Sequence, residues 1–533
     1  SDTPTVLQNV ILAEQAPRKP KEWNLTLANE PTDIPIGTLM LRSKPGTVKK
    51  RLAFIAAAAA GERSGTLIYC NGAAEAEDVA RLVSQLVPFE KSVDVELKDL
   101  ADLARKGVHQ NYQLAPLVER GVAFHYGNMP ALIRTEIERL FRNGKIKFLA
   151  CTSTLIEGVN LSCRTIVVRG PRKGRGNPME PHDFWNLAGR AGRWGNEFQG
   201  NIICVEPNNL VAWPTKVPKR SRYPIQRETD AVISDLDRLS QYLADRTEVQ
   251  PDRLLHGEQF EQVTAFLLNT YMRLGSLSLA GLSKRHDKDA LQRLDEALSK
   301  MAKSVSIPHE MCVRHPGVSA VGLQMLLEAF KNYEGNVENL LPAPSESVDA
   351  YDRYTTVMRR INENVFPVFM PDGLIPLHAL IVVEWLSGLS LSSIIKKRIE
   401  YHQKHKREYR LAVLIRDTMN IVEQTARFKA PKFIAAYMDV LHHYLESIDR
   451  HDLIDDELDL GLALEFGVSS MTLLSLIELG LSRMSAVELY DVMSIDNLDK
   501  QGCIDWIKQH APEFDGMNLP NLIRKEILET VPL

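Results

Sequence analysis

From residue 48 to about residue 215 the chain alternates short apolar runs with amphipathic stretches, and this alternation narrows its possible folds more than any other feature. "GTLIYCNG", "GVAFHYG", "IKFLACTST", "TIVVRG" and "GNIICVEP" read as short strands bounded by turn residues. "VKKRLAFIAAAAAG", "AAEAEDVARLVSQL" and "PALIRTEIERLFRNG" read as helices set among them. Strands that are apolar on both faces need cover on both faces, and intervening helices supply it, which indicates βαβ units and a parallel sheet. The expectation for 48–215 is therefore an α/β domain, a parallel sheet with flanking helices. Residues 1–47, Pro-rich and weakly periodic ("APRKPKEWNLTLANEPTDIPIG"), read as a linker or N-terminal extension contributing one strand.

Beyond the basic connector "WPTKVPKRSRYP" the pattern becomes helical to residue 533, with apolar residues at i, i+3, i+4 and i+7 in "DAVISDLDRLSQYLADR" and "FEQVTAFLLNTYMRLGSL". A proline-rich break, "LLPAPSESVD", divides this part into 216–340 and 341–455, and a last helical module spans 456–533. In that module "LIELGLSRMSAVEL" has the look of a helix-hairpin-helix with Gly480 at the turn; two packed helices explain it equally well. No fixed-period repeat is present, which argues against a solenoid.

Composition limits function. A net charge of −4 excludes a global polycation, so any nucleic-acid surface must be local. The six cysteines (70, 151, 163, 204, 312 and 503) form no C-x-x-C pair, which favours a reducing compartment over a disulfide framework or a zinc knuckle. His442, His443 and His451 lack cysteine partners, and no metal site is expected. The apolar run "LHALIVVEWLSGLSLSSII" is interrupted by His378 and Glu384 and reads as a buried helix, with Trp385 in the core. No membrane association and an intracellular, cytoplasmic location are expected. The chain opens without a signal peptide and without Met, and Ser1 is expected to begin a fragment of a longer polypeptide.

The chemistry centres on "NLAGRAGRWG". Arg190 and Arg193, at i and i+3, would share a helix face, and guanidinium forks suit phosphate oxygens. Gly189 and Gly192 would let a ligand approach the backbone. No G-x-x-x-x-G-K-[ST] loop occurs to hold the other side of such a ligand; "NGKIK" and "RKGRG" fail the spacing. "DEAL" (295–298) lies inside an amphipathic helix without a preceding strand, so no DExH box is read there.

In order, "GTLIYCNGAAEAE", "HYGNMPALIR", "TSTLIEGVNL" and "FWNLAGRAGR" resemble motif IV, the H-H-G-x-L-P segment, motif V and motif VI of the second RecA-like domain of superfamily 2 DExH-box helicases, in the Ski-like and Lhr-like branch. The resemblance implies that Arg190 and Arg193 reach the γ-phosphate of ATP, and that Asn186, Gly189, Gly158 and Asn160 lie by the nucleotide. It implies that Ser153, Thr154, Asn71 and Gly127 contact the nucleic-acid backbone. ATP and Mg²⁺ would be held mainly by a first RecA-like domain, present in cis or on a partner in trans. The helical regions would correspond to a degenerate winged helix (216–340) and a ratchet-like bundle (341–455). Departures from the pattern are Tyr126 at the second histidine, Asn186 in place of glutamine, and "LSCRT" in place of Leu-Pro-Ala.

The most basic run, "KKRIEYHQKHKREYR" (396–410), interleaves Tyr401 and Tyr409 with cations. Lys396, Lys397 and Arg398 are assigned here to nucleic-acid binding; a solvated helix face is the other reading. Lys216, Lys219, Arg220 and Arg222 of the connector carry the same two readings. The chain is thus expected to be the C-terminal portion of an ATP-dependent helicase or translocase acting on single-stranded DNA or RNA, and inactive in hydrolysis by itself. The alternative is a naturally truncated scaffold or nucleic-acid-binding subunit that completes an ATPase site in trans or has lost motor activity.

Overall fold

The computed structural model describes residues 7–29, 31–60, 65–88, 94–155, 161–174, 176–192, 199–221, 223, 227–248, 257–454 and 466–531. Three strands open the fold: β1 (Leu7–Gln15), β2 (Glu22–Leu27) and β3 (Ile34–Met40). Then follow α1 (Val48–Ala59), β4 (Thr66–Tyr69), α2 (Ala73–Ser84), α3 (Val95–Gly107), α4 (Leu114–Val118), β5 (Val122–His125), α5 (Ala131–Arg142), β6 (Phe148–Cys151) and β7 (Thr165–Val168). A short hairpin, β8 (Arg172–Lys173) and β9 (Asn177–Pro178), precedes α6 (Pro181–Ala188) and β10 (Gln199–Val205).

The eight-stranded sheet has the order β3-β2-β1-β10-β7-β4-β6-β5. Strands β1, β10, β7, β4, β6 and β5 run parallel, and β2 and β3 add an antiparallel edge. Strands β4 to β7 are buried at every residue, as strands covered by helices on both faces must be. Helix starts follow local chemistry: the Thr47 hydroxyl accepts from the Lys50 amide at 3.3 Å, and Asp94 accepts from the Glu96 amide at 2.9 Å.

The N-terminal stretch differs from the linker expected of it. It supplies three strands rather than one, and Trp23 is fully buried within the domain. Its pattern is faint because β3 is an edge strand exposed along almost its whole length, so one face carries no apolar requirement.

Among the described residues after 227 the structure is helical, with no strand between 227 and 340. One apolar cluster links Val232 to Leu445 across the proline-rich break, and the Tyr437 hydroxyl donates to the Leu340 carbonyl at 2.7 Å. The expected boundary at 340 therefore does not divide two cores. The C-terminal helices share the core of the sheet domain, from Val468 to Val531. There α3 lies so close to the helix Arg483–Met493 that a Cβ at Gly107 would fall 2.7 Å from Met484 Cε. No described helix is long and apolar enough to cross a membrane.

Candidate nucleotide and nucleic-acid site

Parallel pairing sets Tyr69, Cys151 and His125 abreast at the C-terminal ends of β4, β6 and β5. The loops that leave those strands form one rim, where ligands of open α/β sheets gather. Asn71, Gly127, Ser153 and Thr154 all lie on it. Gly127 and Thr154 abut: a Cβ on Gly127 would stand 2.7 Å from Thr154 Cγ2, so a larger residue would have to displace Thr154. Thr154 is exposed, with its hydroxyl 3.2 Å from that of Thr152.

Asn71 is also a structural tether. Its Oδ1 accepts from the Arg172 amide at 2.8 Å and its Nδ2 donates to the Gly170 carbonyl at 3.3 Å. The Tyr69 hydroxyl donates to the Arg172 carbonyl at 2.7 Å. Together they fasten the β8–β9 hairpin, with Arg172 and Lys173, beside the rim. In the sequence this segment, "RKGRG", shows only as a stretch that fails the phosphate-loop spacing.

Arg190 does not lie on the helix expected to carry it. Helix α6 ends at Ala188, and Arg190 follows in a turn. The cause is partly tertiary: Gly192 takes φ +82°, and Ala191 bridges to Cys163 beside the sheet. A Cβ at Gly200 would come 2.1 Å from the Ala191 carbonyl carbon, so backbone crowds backbone here. The Cys163 amide donates to the Arg190 carbonyl at 3.0 Å. Burial lowers the pKa of the Arg190 guanidinium, while the nearby Cys151 and Cys163 thiols oppose that shift. This neighbourhood puts Arg190 at the Cys151 end of β6, beside the rim. Asn186 and Gly189 face solvent on the same helix end. Arg193, Gly158 and Asn160 lie outside the described residues, as does Arg222.

The connector packs back onto α6. The Trp185 indole donates to the Lys219 carbonyl at 3.0 Å, and the Arg220 guanidinium lies 5.4 Å from the centre of the Trp185 ring. Arg220 thus packs against the ring of Trp185 on α6 while remaining exposed.

A cleft of about 520 Å³ opens in the helical body next to the rim. Arg398, Lys429, His378 and Asp417 line it, with Asn420 and Gln424 on the helix that faces the sheet domain. Asn128 joins the two: its Nδ2 donates to Asn420 Oδ1 at 2.8 Å, and Gln424 Nε2 donates to Asn128 Oδ1 at 3.4 Å. The wall is a π-helical segment, Val422–Lys429, where the Ala430 amide reaches back to the Thr425 carbonyl just before Pro431. Such bulges relieve the crowding that proline causes and recur at functional sites. Burial, then Lys429 and Arg398, lower the His378 pKa to about 4, so it is neutral at pH 7.

The three adjacent basic residues diverge. Lys396 faces solvent, Lys397 pairs with the buried Glu384 at 3.2 Å, and Arg398 turns inward to donate to the Thr418 hydroxyl at 2.6 Å. Successive helical positions point about 100° apart, so a contiguous run cannot form one surface. A buried network also spans the junction. The Tyr126 hydroxyl donates to Glu77 at 2.9 Å, and Arg416 pairs with the same carboxylate. Burial raises the Glu77 pKa against the pull of Arg416 and Tyr126. Sequence gave no sign of Arg416, Asn420, Gln424 or Asn128, because their partners lie some 300 residues away, as with Asn128 and Asn420 at a separation of 292.

Two expectations of packing are answered here. Trp385 is core, with Arg483 stacked 3.4 Å from its ring centre. At the Gly480 hairpin, where φ is +106°, Glu526 accepts from the Ser482 amide at 3.0 Å, so a carboxylate of the chain itself occupies the helix start. Among the described residues no three His, Cys, Asp or Glu converge as metal ligands.

Residues 95–195 match the helicase conserved C-terminal domain. The chain is 30% identical over 187 residues to the Hachiman protein HamB of Bacillus cereus, covering 33% of this chain and 16% of that protein. It is 23% identical over 390 residues to anti-bacteriophage protein B of Escherichia coli K12, covering 71% and 45% respectively. It is 37% identical over 136 residues to the antiviral helicase SKI2 of Saccharomyces cerevisiae, covering 25% and 10%. The matched stretch thus spans under half the length of each of these three relatives.

Proposed function

We propose, for a chain that carries the C-terminal region of a superfamily 2 helicase, that it supplies the arginine side and the strand path of an ATP-driven nucleic-acid motor. Arg190 and Arg193 face the γ-phosphate of ATP, whose phosphates and Mg²⁺ are held by a first RecA-like domain. The residues present fit one side of such a nucleotide: a half-buried guanidinium beside the sheet rim, with Asn186 and Gly189 exposed next to it. An arginine supplied from outside the phosphate-holding loop is typically worth about 10³ to 10⁵ in rate.

The strand runs over Asn71, Gly127, Ser153 and Thr154 and into the cleft with Arg398 and Lys429. Small hydroxyls and cations hold phosphates without reading bases, which suits passage over any sequence. The observation that carries this reading is the continuity of rim and cleft through Asn128, Asn420 and Gln424. The name of the Escherichia coli relative, anti-bacteriophage protein B, supports a role in defence against phage.

The test is Arg190→Ala in the native full-length protein or assembly. Nucleic-acid-stimulated ATP hydrolysis is expected to fall at least about a thousandfold, with strand binding retained; near-normal turnover would overturn the assignment. A second reading is a nucleic-acid-binding subunit without motor activity. The shorter Asn186 at the glutamine position favours it, and strand binding indifferent to ATP in the native assembly would support it.

A further inference from the structure

We infer that the exposed tip joining helices Leu391–Lys404 and Leu411–Ile421 is an exterior platform for single-stranded nucleic acid, additional to the rim and cleft. On a chain of net charge −4, residues 396–410 carry seven Lys or Arg against two Glu. Tyr401 and every residue from Gln403 to Arg410 are exposed. An ordinary solvated helix face would interleave these cations with acids. Here Lys404, Lys406 and Arg410 pair with no carboxylate among the described residues, and the ion pair within the run is a long one, Lys396 to Glu400 at 4.0 Å. Like charge gathered in this way repels itself unless a polyanion relieves it.

The tip is ordered by its own contacts. Lys406 takes φ +50°, and the Arg407 amide donates to the His402 carbonyl at 2.9 Å. The Arg407 guanidinium lies 5.3 Å from the Tyr401 ring centre, and Tyr401 lies 4.4 Å from the His405 ring. Tyr409 packs 5.4 Å from His402. Aromatic rings and cations are thus held together in advance of a ligand, the combination that binds unstacked strands with little regard to sequence.

Continuity favours a single strand. Arg398 lines the cleft, and Arg398, Tyr401 and His402 fall at i, i+3 and i+4 on one face of one helix, with His405 at its C-cap. A strand in the cleft would meet the tip along that face. A lipid surface is a poor fit, because residues 400–410 contain no aliphatic side chain to insert.

The experiment is fluorescence anisotropy of the protein with labelled oligo-dT across a salt series, without ATP, so that the result does not depend on the hydrolysis reading. Lys406→Glu with Arg407→Glu is expected to weaken binding at least about tenfold and to lower the slope of log affinity against log salt by about 1.4, at about 0.7 per single-strand contact. Tyr401→Ala with Tyr409→Ala is expected to weaken it at least about fivefold. All four side chains are on the surface, and melting curves should match the parent; if a charge reversal shifts them, the Lys406→Ala, Arg407→Ala pair carries the same test. Unchanged affinity in both variants would overturn the inference. So would preference for a duplex of equal length, or equal competition by polyglutamate, which would make the partner an acidic protein.

Discussion

Arg416 and Glu77 form an ion pair across the junction of the sheet domain and the helical body, with only 18% and 5% of their side chains exposed. Tyr126 adds a hydrogen bond to the same carboxylate, and its own hydroxyl lies 3.4 Å from that of Tyr112. Sequence comparison flags Tyr126 as a departure; in the fold it is one of the groups that satisfy a buried charge. Removing one partner of such a pair leaves the other uncompensated, which costs more than the pair contributes.

Arg416→Met should therefore destabilise the protein by about 3 kcal/mol in chemical denaturation. The loss should depend on pH. Burial already raises the folded pKa of Glu77, and without Arg416 it rises further. A raised carboxyl stabilises the fold only while protonated, so its contribution is present at low pH and is lost as pH climbs through the folded value. The variant should be closer to the parent at about pH 5 than at about pH 8. An equal loss at both would show that Glu77 is not the group left uncompensated.

Gly127→Ala should separate the two loops of the rim, since the new methyl group meets Thr154 Cγ2. Overpacking of this kind costs about 1–3 kcal/mol, and strand affinity should fall with it. Thr154→Ser removes the clashing methyl and keeps the hydroxyl, so the double variant should regain binding. Anisotropy on the two single variants and the double decides this; no recovery in the double variant would place the effect elsewhere.

Arg398→Met and Lys396→Met, two residues apart, should differ sharply. Arg398 lines the cleft and Lys396 faces solvent. The first should lower the salt slope of single-strand binding by about 0.7, and the second should leave it close to the parent value. Equal effects would mean that the strand follows the helix surface and bypasses the cleft.

His378→Gln should reduce the acid sensitivity of the fold. The folded His378 has a pKa of about 4, below its ordinary 6.5, because it is buried beside Lys429 and Arg398. The unfolded chain therefore binds that proton more readily, and stability declines as pH falls from 6.5 towards 4. Urea midpoints of parent and variant should draw together across that interval; parallel curves would refute the assignment.

The parallel strands β4 to β7 and the rim residues that follow them were legible in the sequence. A buried strand is a run of consecutive apolar residues, and the loop after it is fixed to a place by the strand's end. The residues expected around motifs IV to VI fall near one another for that reason, apart from Arg193, Gly158 and Asn160, which lie outside the described residues. Three readings needed the fold. The N-terminal strands were faint because Pro35 and Gly37 interrupt the apolar residues of β3, which lie exposed at the sheet edge. Arg190 left its expected helix because glycine geometry and the Cys163–Ala191 bridge, formed with a distant strand entrance, end α6 at Ala188.

The cleft was invisible altogether. Lys396, Lys397 and Arg398 look alike in a list of letters, yet only packing sends one to water, one to Glu384 and one inward. By itself the sequence determined the sheet, its order of motifs and a local excess of positive charge, all properties of neighbouring residues. Tertiary structure alone decided which cations line the cleft and which rim residues meet Asn420 and Gln424, because those contacts join positions hundreds of residues apart, and no local pattern encodes them.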